Sequence, residues 1–247
     1  AALTRAVIES AKSLGAQLKM PAEFISAIPG DDVNDIKYSV NGTIYSCKAR
    51  LLVNTAGPWA NAVLEKVTPI PAKREFDLVS GAHIVLNETA PSGIYYVEAP
   101  QDQRAVFVMP WKGKTMIGTT ETVFSGDPSE VAPLPEEETY LCDVASSYFP
   151  KFKDLTREKI IESFAGLRVL PHASGKAFSR PRETTFHVDK KLAPRIATIY
   201  GGKLTAYRVT AEKFVEKFSA ALPRRKRKAE TNKLPLKPTQ AAPRKQV

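Results

Sequence analysis

The residues whose types most directly suggest chemistry lie late in the chain, in Ile199-Tyr200-Gly201-Gly202-Lys203-Leu204-Thr205-Ala206-Tyr207-Arg208. Two consecutive glycines permit positive φ and let a ligand approach the backbone closely. Lys203 adds a mobile point charge at the same spot. Residues 195–200 ahead of them, rich in β-branched and aromatic types, read as a short strand. Behind them Tyr207, Ala211, Phe214, Val215 and Phe218 recur at helical spacing. A strand that turns through two glycines into a helix presents free backbone N–H groups and the positive end of the helix dipole, which suits an anion or an electron-rich ring. The same ten residues also read as an ordinary connection that binds nothing.

A second corner has a similar character. Leu51-Leu52-Val53 is what a buried parallel strand looks like. It runs into Thr55-Ala56-Gly57, a small-residue turn of the kind at which open α/β sheets place their ligands. Trp59, Ala62, Val63, Leu64 and Val67 then form an amphipathic run. Elsewhere, Arg168 lies in an apolar strand, where a buried guanidinium needs a partner. Arg182 stands in Pro181-Arg182-Glu183-Thr184, a polar stretch where a plain surface arginine is the alternative. His83 reads either as a base or electrostatic helper or as a satisfied structural histidine. His172 and His187 read as structural or exposed, and Cys142, on a helix face, as packing. None of the thirteen glycines builds a Gly-x-Gly-x-x-Gly motif, so motifs alone identify no dinucleotide fold.

The elements around these residues follow from periodicity. Leu3, Val7, Ile8, Ala11 and Leu14 mark a helix over 2–14 that Gly15 stops. Residues 16–20 are expected to be a strand ending at Pro21, making the second half of a βαβ unit whose first strand is missing, so the chain is expected to be a fragment that starts inside a fold. Residues 24–28, 35–40 and 43–49 predict a meander, with Asn41-Gly42 as its hairpin turn. Strands over 76–86, 93–98, 104–110 and 114–120 follow without intervening helices, the mark of an antiparallel sheet. Glu136-Glu137-Glu138 opens a helix that Pro150 closes. A long strand over 159–170, a polar loop over 171–182 and a short strand over 184–188 lead to the double-glycine corner.

Composition bounds the function classes. The chain has 247 residues, 43% hydrophobic and 25% charged, with no apolar run near the roughly 20 residues that cross a bilayer. It opens directly into a helical pattern, without a signal-peptide signature. Cys47 and Cys142 are too few and too far apart for a disulfide framework or a metal site, which points to a reducing compartment. The net charge is +10, but residues 224–247 hold nine of the Lys and Arg residues and a single acid, leaving about +2 for the rest. The basicity therefore belongs to a tail expected to be disordered. Its Arg224-Arg225-Lys226-Arg227-Lys228 cluster is an inert solvated end, a contact for acidic lipid headgroups or, ranked last, a contact for RNA.

Five stretches together resemble the flavin-dependent glycerol-3-phosphate dehydrogenases, within the D-amino-acid-oxidase-like flavoproteins. They are Ala49-Arg50-Leu51-Leu52-Val53-Asn54-Thr55-Ala56-Gly57-Pro58-Trp59; Gly81-Ala82-His83-Ile84-Val85; Val106-Phe107-Val108-Met109-Pro110-Trp111 with Ile117-Gly118-Thr119-Thr120; Ala165-Gly166-Leu167-Arg168-Val169-Leu170-Pro171; and Tyr200 to Arg208. The resemblance spans roughly residues 1–220. It implies an α/β (α+β) fold, in which part of a Rossmann-like FAD-binding domain (1–75 and 171–222) is joined to an antiparallel substrate-binding domain (76–170), with the basic tail from 223.

The resemblance also implies FAD as cofactor, oxidation of glycerol 3-phosphate to dihydroxyacetone phosphate, and electrons passed to a quinone or, in the oxidases, to oxygen. By the same resemblance Thr55, Ala56, Gly57, Trp59, Gly201, Gly202, Lys203, Leu204 and Thr205 contact the cofactor. Arg168, Arg182 and Lys203 bind substrate, and Arg168 and His83 are catalytic. The expected setting is cytoplasmic, with peripheral contact at the inner face of a membrane and a homodimer admitted. No nucleic-acid partner is expected. The part of such an enzyme that carries the glycine-rich phosphate loop is absent from these residues, so the chain alone is expected to bind FAD weakly or not at all and to be inactive unless that segment is supplied. An amine or amino-acid oxidase of the same class is the second reading, and a non-catalytic fragment that binds lipid or RNA through its tail the third.

Overall fold

An eleven-residue strand, β5 (Phe76–Leu86), is the axis of the larger sheet, because antiparallel partners line both of its sides. The computed structural model describes residues 2–89, 92–172 and 183–237. They divide into two compact units, one of Ala1–Asn54, Ala62–Ala72 and Phe186–Val247, the other of Thr55–Asn61 and Lys73–Thr185.

In the second unit β5 pairs on one side with β10 (Ile160–Pro171) over its whole length. On its other side the first half pairs with β9 (Thr122–Phe124) and the second half with β8 (Lys114–Gly118), which continues through β7 (Ala105–Trp111) to β6 (Tyr95–Glu98). The period of two sends Ile84, Leu86, Val106, Val108 and Ile117 to one face. There they bury against Leu141, Cys142, Val144 and Ala145 of α3 (Pro135–Tyr148). Pro135 starts that helix where its missing N–H costs nothing, and Pro150 follows its end. The opposite sheet face keeps Tyr96, Phe107 and Phe164 exposed.

In the first unit β1 (Glu23–Pro29), β2 (Asn34–Val40) and β3 (Thr43–Ala49) form the meander, with Asn41 and Gly42 both at positive φ in the turn. A second sheet has the order β11 (Thr185–Val188), β12 (Ile196–Tyr200), β4 (Leu52–Asn54), and β12 and β4 run parallel with Thr198 opposite Asn54. Asn34, fully buried, ties meander to sheet by donating to the carbonyls of Ala49 and Arg195. Phe214 and Phe218, on and just beyond α4 (Tyr207–Lys217), pack on Ala197 and Phe186.

Three features differ from the sequence reading. Residues 16–20 after α1 (Ala2–Ser13) are exposed and form no strand, since no described strand offers them a ladder of hydrogen bonds. β9 was not anticipated, because three residues are too short to show a period. Residues 223–237 of the tail carry neither helix nor strand, yet Lys228 Nζ donates to the Leu14 carbonyl at 2.7 Å, where the end of α1 favours a cation.

Candidate active site

Arg168 and His83 are brought to the open face of the larger sheet by register. Phe164 stands opposite His83, Gly166 opposite Gly81 and Arg168 opposite Val79, and cross-strand partners share a face. Arg168 does not stay on its own strand. Its guanidinium crosses β5 at Gly81, where a Cβ would overlap both terminal nitrogens, and reaches the break between β8 and β9. There Nη2 donates to the Thr119 hydroxyl at 2.9 Å, and Nη1 donates to the Ser80 carbonyl at 3.2 Å and the Thr120 carbonyl at 3.5 Å. The side chain is half-buried and held in one place, with oxygen acceptors beneath it.

His83 lies over Gly118, another position where a Cβ would collide, in this case with the imidazole itself. Its ring stacks on Phe164 at 5.0 Å between centroids and 5° between planes. Nδ1 is buried and lacks a hydrogen-bond partner of good geometry, while a looser contact with the Gly81 backbone works weakly to raise the pKa. Burial first, and the positive charge of Arg168 second, push the pKa below its ordinary 6.5, so the ring is neutral at neutral pH. A histidine whose pKa is lower folded than unfolded binds its proton more readily when unfolded. The fold therefore loses stability as pH falls through 6.5 toward the folded pKa. Replacing His83 by glutamine should flatten that loss. Urea unfolding of both proteins at pH 7.5 and 5.5 measures it, and equal pH dependence would rule out a depressed pKa.

The double-glycine corner follows β12. Gly201 and Gly202 have φ of 70° and 96°, and they and Lys203, Leu204 and Thr205 are exposed. A single 3-10 turn, Leu204–Ala206, leads into α4 at Tyr207. The other corner leaves β4. Thr55 is exposed, Ala56 half-buried, Gly57 has φ of 56°, and Trp59 is 45% exposed within the 3-10 turn Gly57–Trp59. β4 and β12 thus end side by side on the carboxyl edge of one parallel pair, and each is followed in sequence by a glycine corner. Arg182 lies outside the described residues. His172 is exposed, 2.9 Å from Asp77, and His187 contacts the Ala72 carbonyl at 3.0 Å. Burial, reinforced by Asp143, pushes the Cys142 thiol up to about 11, which fits a packing role.

Sequence reasoning missed Ser80, Thr119 and Thr120, which cradle Arg168, and Glu137, which holds Thr120 through its hydroxyl. The only trace of the cradle in sequence is the Gly-Thr-Thr run at the end of β8, which shows nothing of the strand opposite.

A family model described as FAD dependent oxidoreductase (DAO) matches residues 1–208. The chain belongs to this family of FAD-dependent oxidoreductases. Within it, the aerobic glycerol-3-phosphate dehydrogenase of Escherichia coli K12 is 34% identical over 182 residues, 72% of this chain and 36% of that protein. The D-erythritol 1-phosphate dehydrogenase of Brucella abortus is 30% identical over 196 residues, 78% of this chain and 39% of that one. Among solved structures, the glycerol-3-phosphate dehydrogenase from Bacillus halodurans complexed with FAD superposes with a TM-score of 0.74 at 28% identity, covering 88% of this chain and 42% of that chain. This FAD-dependent oxidoreductase chain therefore spans little more than a third of the length of its curated relatives.

Proposed function

We propose that this chain forms the substrate-binding and part of the flavin-binding portion of a dehydrogenase that oxidises glycerol 3-phosphate to dihydroxyacetone phosphate. The observation that carries the proposal is the Arg168 guanidinium, fixed by three oxygens on the open sheet face beside a neutral histidine. A phosphorylated substrate requires a cation that stays charged at all working pH values and presents a fork. The names of relatives that act on glycerol 3-phosphate and erythritol 1-phosphate agree in asking for a polyol phosphate.

FAD, when bound, supplies the acceptor for the hydride that leaves the secondary carbinol carbon. His83, kept uncharged by burial first and by Arg168 second, accepts the proton of the hydroxyl at Nε2, and the Arg168 charge also anchors the phosphate. Arg182 and Lys203 are the further cations proposed to serve the substrate. Thr55, Ala56, Gly57 and Trp59, and Gly201 to Thr205, are the residues that would contact the cofactor, and Gly57, Gly201 and Gly202 would offer it backbone without a Cβ. The electron acceptor in this reading would be a quinone at a membrane surface.

The test is anaerobic bleaching of the flavin in FAD-loaded protein. Glycerol 3-phosphate should bleach it stoichiometrically and D-amino acids should not. Bleaching by a D-amino acid alone would move the assignment to an amino-acid oxidase, for which one arginine suffices to hold a carboxylate. Quinone reduction measured against oxygen consumption identifies the acceptor.

A further inference from the structure

α3 opens with Glu136, Glu137 and Glu138, and the middle one is only 6% exposed while Glu136 faces solvent. A charge that merely complements the helix dipole has no reason to be buried. Glu137 Oε1 accepts from the Thr120 and Thr122 hydroxyls at 2.6 and 2.7 Å, and Oε2 accepts from the Leu134 N–H at 3.0 Å. All three partners are donors. A carboxylate oxygen only accepts, so the Thr120 hydroxyl, whose oxygen takes the Ala82 N–H at 2.8 Å, gives its own proton to Glu137. A carboxylate serves three donors with two acceptor oxygens, whereas an amide would turn its NH2 group toward one of them.

The segment so held is the break between β8 and β9. Its core side meets Glu137, and its open side provides the Thr119 hydroxyl and Thr120 carbonyl that hold Arg168. We propose that Glu137 is a positioning residue: by clamping residues 119–122 it sets where the Arg168 guanidinium stands, and so how tightly a phosphorylated substrate binds. The second half of this statement rests on the reading of Arg168 as the phosphate anchor. The first half does not.

Two measurements separate them. In the 247-residue chain, the guanidinium N–H resonances of Arg168 are assigned by their loss in Arg168→Lys. They should shift or broaden in Glu137→Gln and in Thr120→Val and keep their positions in Thr120→Ser, which restores the hydroxyl. Unchanged resonances in both Glu137→Gln and Thr120→Val overturn the positioning role. If Glu137→Gln does not fold, the Thr120 pair carries the comparison alone.

In FAD-loaded protein, Glu137→Gln should raise the KM for glycerol 3-phosphate roughly tenfold with FAD content retained and kcat within about twofold. Added to Arg168→Lys it should raise KM no further. An undiminished rise in that background shows that Glu137 acts elsewhere and overturns the proposal. A KM that Arg168→Lys leaves unchanged removes the phosphate reading instead, and the resonances still decide the clamp.

Discussion

Gly81→Ala should abolish most turnover of glycerol 3-phosphate while the protein stays folded. A Cβ at residue 81 would occupy the space of both terminal nitrogens of Arg168 and of the Thr119 hydroxyl. Those atoms end flexible side chains, whereas the β5 backbone is held along its length by β10 and in two halves by β8 and β9. The guanidinium therefore moves and the sheet does not. Overpacking of this kind costs about 1–3 kcal/mol of stability, which a domain of this size survives. Displacing a substrate-binding group by even about 1 Å costs roughly 100-fold in rate, so kcat/KM should fall by about that factor or more. Gly166, directly across the ladder, provides the control. A Cβ there meets nothing within 4 Å, and Gly166→Ala should leave kcat/KM within about twofold. Equal kinetics for Gly81→Ala and wild type would mean that the guanidinium position is irrelevant to the reaction.

Much of this protein could be read from local pattern, because local pattern decides the elements concerned. The Asn41-Gly42 turn, the proline-bracketed helix α3 and the strand that ends in Gly201-Gly202 depend on neighbours within a few residues. All three stand as their sequence predicts. The cradle of Arg168 was out of reach for the opposite reason. It needs Arg168 from one strand, the Ser80 carbonyl and the missing side chain of Gly81 from the next, and two threonines from a strand break beyond, with Ser80 separated from Arg168 by 88 residues and Thr119 by 49. Glu137 shows the same limit. Its place among three acids in the first turn marks only where a helix begins. Its burial beneath the strand break, visible only once sheet and helix are packed, makes it an acceptor for three donors. Residues 16–20 erred the other way, because an apolar alternation forms a strand only when another strand lies within hydrogen-bonding reach.

Arg168→Lys preserves the charge and removes the fork, and this makes it the sharper test of what the site recognises. A lysine reaching over Gly81 presents one ammonium, which cannot serve Ser80, Thr119 and Thr120 and still offer parallel donors to a phosphate. Loss of one charge-assisted pair of hydrogen bonds is worth about 3 kcal/mol, so kcat/KM for glycerol 3-phosphate should fall by roughly 150-fold. Unphosphorylated glycerol makes no such contact, and its much slower turnover should be unchanged, so the preference for the phosphorylated substrate collapses. Arg168→Met goes one step further. Burial is the first cause of the low His83 pKa and the Arg168 charge the second. Removing that charge lets the pKa rise toward its ordinary 6.5, and the acid limb of the kcat/KM profile should move to higher pH. In Arg168→Lys, where a positive charge remains, the limb should move less. An acid limb that stays fixed in Arg168→Met would separate His83 from the proton transfer, and an intact phosphate preference in Arg168→Lys would separate Arg168 from the substrate.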